Sequence, residues 1–260
     1  MKSVYRRFFV ALSFAPLAYL GLIVLLAMPW MQHQLVFLNY INVPRGNLST
    51  PEDFGYEAGQ VNAFHLPITS KVDNETLSLG VWHIMPKMYY KKYSTQEAIW
   101  ADASVRNETY SQSLKFHPTV IYFHGNAANR AAKHRKETYA AITDHLGANL
   151  ITFDYRGFGD STGWPTEQGI GEDAEAVWKW LLSNGVNHKQ IILVGHSLGT
   201  AVATQLAARL SKSETSPRAL ILKGGFNAIP DVIFDFSLFG LVNLLYPFRH
   251  SLTLRSFFFY

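Results

Sequence analysis

The stretch Ile191-Ile192-Leu193-Val194-Gly195-His196-Ser197-Leu198-Gly199-Thr200-Ala201-Val202-Ala203 decides how this chain is read. Residues 191–194 are a short apolar, β-branched run and predict a buried strand. Residues 198–210 are alanine-rich and predict a helix. Between them, Gly195-His196-Ser197-Leu198-Gly199 has G-x-S-x-G spacing in a strand–turn–helix setting. A serine at so sharp a turn is pushed beyond the strand end, into a sparsely allowed backbone region that only small neighbours tolerate. Gly195 and Gly199 supply that room, with His196 filling the turn. The Leu198 amide, at a helix N-terminus, points into the same space and suits a developing oxyanion.

Working outward, residues 119–123 read as another buried strand, followed by His124-Gly125-Asn126-Ala127-Ala128. Small residues at a strand end let backbone amides approach a ligand, so Asn126 or Ala127 is expected to give the second oxyanion donor. His124 is expected to brace this loop; the alternative is a catalytic base. Residues 149–154 form a third strand, entering Asp154-Tyr155-Arg156-Gly157-Phe158-Gly159-Asp160-Ser161. Here Asp154 and Arg156 are expected to pin a tight turn by charge-assisted bonds; the alternative makes Asp154 or Asp160 a catalytic acid. Helical spacing at 131–146 and 172–182, with a strand at 219–222, completes an alternation that predicts an α/β fold with a mostly parallel sheet and flanking helices. Residues 61–66 and 77–85 are strand-like. Residues 87–118 read as a polar, tyrosine-rich surface connection with weak helical character at 96–103.

The chain has 260 residues, 48% hydrophobic and 16% charged, enough for one large domain and inconsistent with general disorder. There is no Cys, which excludes disulfides, a thiol nucleophile and cysteine-ligated metal. Neither a metal nor an organic cofactor is implied. Lys2, Arg6 and Arg7 account for three of the four net positive charges, so the rest is nearly neutral and no nucleic-acid partner is expected.

Residues 8–30 carry no charge, and a spanning helix needs roughly 20 such residues. Pro16 and Gly21 are tolerated there. The expected layout is a cytoplasmic tip (1–7), a transmembrane anchor (8–30), a linker (31–59), an incomplete α/β core (60–230), and an apolar, lid-like or surface-seeking helical region with a divergent tail (231–260). Positive charge before the span and none after it until Arg45 places the remainder on the lumenal side. The sequons at Asn47, Asn74 and Asn107 agree with that and are candidate glycosylation sites.

HGNAANR, DYRGFGDSTGWPTEQG and VGHSLGTAVATQLA together resemble the α/β-hydrolase fold, and more closely its membrane-anchored lysophosphatidylserine lipase and monoacylglycerol lipase group. The likeness covers about residues 60–229 and the anchor layout. It implies an enzyme of the endoplasmic reticulum membrane, facing the lumen, that cleaves acyl esters of single-chain lipids with Ser197 as nucleophile. Arg130, Lys133, His134 and Arg135 then suit an anionic head group or, alternatively, a solvated helix face. A peptidase or thioesterase on the same fold is a further alternative.

In this fold the triad acid and histidine follow the serine. After Ser197 the chain has one histidine, His250, and three acids, Glu214, Asp231 and Asp235. None matches the family's pattern, although Asp235 and His250 form a conceivable makeshift dyad. The expectation is a C-terminally truncated hydrolase, lacking the last two strands and the triad Asp and His. Its activity would be impaired, or it would serve as a non-catalytic lipid-binding or interaction isoform. Its last strand would then be an open edge prone to self-association.

Overall fold

The computed structural model describes Phe14, residues 16–226, and the backbone at Ser237–Leu238 and Val242–Asn243. Two compact units are distinguished: Met1–Leu38 with Phe226–Tyr260, and Asn39–Gly225.

The larger unit is built on a six-stranded sheet. Its strands are β1 (Val61–Thr69), β2 (Thr76–Ile84), β3 (Thr119–Phe123), β4 (Asn149–Phe153), β5 (Ile191–His196) and β6 (Ala219–Lys223). They lie in the order β1-β2-β4-β3-β5-β6. The β1–β2 hairpin runs antiparallel and pairs antiparallel to β4, while β4, β3, β5 and β6 are mutually parallel. Every residue of β3 and β4 is buried, as continuous apolar runs in the middle of a covered sheet require. Pro67 is accommodated because β1 lies at the sheet edge.

Three helices flank the parallel strands: α6 (Lys133–Ala140), α7 (Glu167–Ser183) and α8 (Leu198–Leu210). Trp82, Val120, Tyr122 and Leu150 from the sheet pack with Tyr139 and Ile142 from α6 and the π-turn that extends it. In α7, Ile170, Ala174, Val177, Trp178 and Leu181 are buried, one stripe at helical spacing, and Thr166 caps the first turn through the amide of Gly169.

The segment expected as a surface connection instead folds into α3 (Lys87–Ser94), α4 (Glu97–Ala101) and α5 (Ala103–Phe116). Tyr90 and Tyr110 bury there with Met85, partly covered by Trp100. Residues 39–59, expected as a linker, belong to the larger unit. Asn39 and Asn42 donate to the carbonyls of Gly157 and Gly159, and Leu48 is buried in the core. This strap runs over the loop that follows β3.

In the other unit, α1 (Pro16–Leu26) and α2 (Pro29–Phe37) are bent by 74° at their junction. Pro29, lacking an N–H, starts a new helix instead of continuing the old one. No single helix among the described residues is long and apolar enough to cross a membrane, but the bent pair meets length and composition together. In the 231–260 region, Ser237–Leu238 pairs antiparallel with Val242–Asn243. Those residues are therefore extended, where a helix was expected.

Candidate active site

Ser197 sits between β5 and α8 at φ 51°, ψ −120°, a conformation that a side-chain-bearing residue adopts only when its surroundings enforce it. The enforcement is visible. The Ser197 amide donates to Lys223 O at the end of β6 (3.0 Å). Its carbonyl accepts from both the amide (2.8 Å) and the hydroxyl (2.6 Å) of Thr200. A Cβ on Gly195 would lie 2.5 Å from Gly199 O and 2.7 Å from the Thr200 Cα. A Cβ on Gly199 would overlap the Phe123 carbonyl. Strand, turn and helix are thus closed on one another at both glycines.

The loop after β3 meets this turn: a Cβ on Gly125 would lie 3.1 Å from Ser197 Cβ. Ala127 and Ala128 both have φ 56°. The strap takes two amides of the loop, since Ala128 N donates to Ile41 O (2.7 Å) and Asn129 N to Val43 O (3.1 Å). No described hydrogen bond uses the amides of Asn126, Ala127 or Leu198. The structure therefore packs the loop that carries Asn126 and Ala127 against the turn at Ser197, and the amides predicted as donors take part in no described hydrogen bond.

His124 is fully buried below the loop. Its Nδ1 lies 2.7 Å from Gly125 O, its ring stacks on Tyr155 at 4.3 Å, and its Nε2 is 3.4 Å from Asp154 Oδ1 without hydrogen-bond alignment. Burial first, and Arg135 second, push its pKa down. This is a brace, as expected, and Ser197 is not among its contacts.

The tight-turn expectation needs correction. Asp154 does not pair with Arg156; it accepts from the Arg130 amide (2.7 Å) and guanidinium (2.6 Å). Arg130 also reaches Asp160 (2.6 Å), so both candidate acids are held by one buried arginine. Burial alone would raise the Asp154 carboxyl, but Arg130 and His124 outweigh it and hold it below the ordinary value. Arg156 instead binds Asp173 through Nε (3.0 Å) and Nη2 (2.8 Å), with Glu172 and Asp73 beside it. The acids that pin this turn come from α7 and the β1–β2 hairpin, distant in sequence.

The four basic residues after the loop also divide. Arg130 and Arg135 are buried, so neither meets a solvent-borne head group. Lys133 and His134 are exposed. The His134 ring lies 6.3 Å from that of His196, whose Nδ1 is buried without a partner. Burial depresses both histidines, helped by Arg135 at His134 and by Lys223 at His196. No ion pair among the described residues engages His134, His196 or Lys223.

Ser197 Oγ has no hydrogen-bond partner among the described residues. Glu214 is exposed beyond α8, while Asp231, Asp235 and His250 lie outside the described residues. Asn47, Asn74 and Asn107 are all exposed, Asn74 at the β1–β2 turn and Asn107 on α5. Among the described residues no group of three or more metal-ligating side chains is assembled.

Residues 118–238 match the family model described as the alpha/beta hydrolase fold. The chain is 37% identical over 203 residues to lysophosphatidylserine lipase ABHD12 of Bos taurus, covering 77% of this chain and 46% of that one. It is 36% identical over 149 residues to protein ABHD12B of Homo sapiens, covering 57% of this chain and 38% of that one. It thus spans about half the length, or less, of these relatives. An alpha-beta hydrolase from Vibrio vulnificus shares the fold at TM-score 0.58 and 16% identity, covering 85% of this chain and 66% of that one. With the sheet order, the turn at Ser197 and these matches in agreement, the chain belongs to the α/β-hydrolase family.

Proposed function

We propose that this chain is a lipase-type serine hydrolase acting on acyl esters of single-chain lipids, lysophosphatidylserine or monoacylglycerol, from the lumenal face of the endoplasmic reticulum membrane. The observation that carries the proposal is the enforced backbone of Ser197 at the β5–α8 turn, with the loop after β3 packed against it and the amides of Asn126 and Leu198 in no described hydrogen bond. In that role Ser197 attacks the ester carbonyl, and the two amides hold the oxyanion of the tetrahedral intermediate. The relatives named as lysophosphatidylserine lipases support the substrate class. So does the exposed Lys223 beside the turn, whose ammonium complements a phosphodiester or carboxylate. Exposure of all three sequons supports a lumenal domain.

A second reading has its own support. Ser197 Oγ is without a hydrogen-bond partner among the described residues, and a serine hydroxyl needs a base to become a good nucleophile. The chain then binds lipid without turnover. One experiment separates the two. Membranes carrying the full chain are treated with a fluorophosphonate probe beside Ser197→Ala, and lysophosphatidylserine hydrolysis is followed in parallel. Labelling and hydrolysis lost together in the variant support the hydrolase. Absence of both in the unaltered chain overturns it and favours the binding reading. On the same membranes, glycosidase-sensitive mass shifts that disappear with Asn47, Asn74 and Asn107 each changed to Gln test the lumenal orientation.

A further inference from the structure

Three buried arginines lie at the loops after β3 and β4, and one is unlike the others. Arg130 and Arg156 are each paired with carboxylates. Arg135, 1% exposed, has no carboxylate partner among the described residues; its described acceptors are four main-chain carbonyls. Its Nη1 donates to Asn129 O (2.7 Å), and its Nη2 reaches Gly125 O (3.0 Å), Asn126 O (3.4 Å) and Ala127 O (2.6 Å). A buried charge answered only by carbonyl dipoles is costly, and such a group is kept where its geometry is used.

The geometry follows from peptide planarity. In a trans peptide the N–H points away from the carbonyl of the preceding residue. Drawing Gly125 O inward turns the Asn126 N–H outward. Drawing Asn126 O inward does the same for the Ala127 N–H, and drawing Ala127 O inward does it for Ala128. The Ala128 amide is then met by Ile41 O of the strap, while those of Asn126 and Ala127 are left unspent on the side away from Arg135. Ala127 and Ala128 adopt left-handed backbone that costs each roughly 1 kcal/mol, so the turn needs an external hold.

We infer that Arg135 is the positioning residue of the oxyanion loop: its guanidinium gathers the carbonyls of residues 125–127 and 129, which aims the amides of Asn126 and Ala127 toward Ser197. The loop-holding half stands on the contacts alone; the catalytic consequence rests on the hydrolase reading above. A lysine cannot reproduce it, because an ammonium is a point donor and cannot fork across four acceptors.

The test has two arms on the full chain in lipid nanodiscs. In residue-resolved hydrogen exchange of the unaltered protein, the Asn126 and Ala127 amides exchange about 100-fold or more faster than those of Ala128 and Asn129. Protection of all four alike overturns the inference, with no variant needed. In Arg135→Lys and Arg135→Gln, protection at Ala128 and Asn129 falls while that of β3 and β4 is kept; unchanged protection overturns it. In the second arm, the fluorophosphonate inactivation rate at Ser197 falls about 100-fold in both variants with the probe's KI within two-fold, the size of losing an oxyanion donor. Labelling at the original rate in the variants overturns the inference and leaves the hydrolase standing. If the unaltered chain does not label, the hydrolase reading falls, and the exchange arm still decides whether Arg135 holds the loop.

Discussion

At the scale of single residues, strain and burial are concentrated where side chains of opposite character meet the end of the sheet. Ser197 was legible because five residues of fixed spacing, flanked by a strand and a helix, leave one conformation that fits. Arg135 was not, because Arg130, Lys133, His134 and Arg135 read together as a head-group site or a solvated helix face, and only the three-dimensional approach of residues 125–129 turns the Arg135 guanidinium inward. His83 is a similar case. In β2 it looks like any strand position, yet it is 1% exposed, with Nε2 2.8 Å from Asn149 Oδ1. Burial pushes its pKa down from 6.5 to about 4, against a smaller opposing effect of the Asn149 hydrogen bond. Between those two pH values the unfolded chain holds a proton that the folded chain refuses. Stability therefore rises with pH through this interval and is lost as pH falls from 6.5 to about 4, by about 3 kcal/mol from this residue. Denaturant titrations across that interval should show a shallower pH slope in His83→Gln than in the unaltered chain. Equal slopes would mean that the imidazole takes up its proton without disturbing the fold.

At the scale of elements, the parallel strands and α8 could be read closely from sequence because each is a continuous apolar or alanine-rich run between glycines. What failed was the part whose burial is carried by polar and aromatic side chains. In α5 the buried positions are Thr109, Tyr110, Ser113 and Leu114, only one of them aliphatic, so no hydrophobic period announces the helix. The strap at 39–48 has no regular structure at all; its bonds at Asn39, Asn42 and Pro44 reach loops more than 80 residues away, and no local pattern encodes such partners. The start of α7 was placed late for a related reason. Its first five residues hold Gly169 and Gly171, weak helix formers, and its start is capped by the hydroxyl of Thr166 accepting from Gly169 N at 3.0 Å. Thr166→Ala should lower the stability of the larger unit by about 1 kcal/mol, while Thr166→Ser should retain it. Chemical denaturation of the two variants checks this, and equal losses would assign the effect to the methyl group's packing instead of the cap.

At the scale of the whole molecule, the sheet is asymmetric in how its margins are protected. The β1 margin is the outer strand of a hairpin, with a proline within it and charged residues at its turn. At the other margin all five residues of β6 are exposed, with Leu220, Ile221 and Leu222 at 37%, 50% and 48%, and no described strand pairs on its outer side. An apolar strand with open N–H and C=O groups and no charge until Lys223 is the pattern that pairs with another copy of itself. This margin also bears on the candidate active site, because Lys223 O holds the Ser197 amide; a copy docking along β6 would load the strand that fixes the backbone of the proposed nucleophile. The full chain in detergent should therefore self-associate as its concentration rises, seen as a growing sedimentation coefficient. Ile221→Lys, which sets a charge mid-strand without touching the Lys223–Ser197 bond, should shift that association to concentrations at least about ten-fold higher, equivalent to about 1.4 kcal/mol. A chain that sediments as one species at every concentration, or a lysine variant that associates as readily as the unaltered protein, would show that β6 is not the adhesive edge.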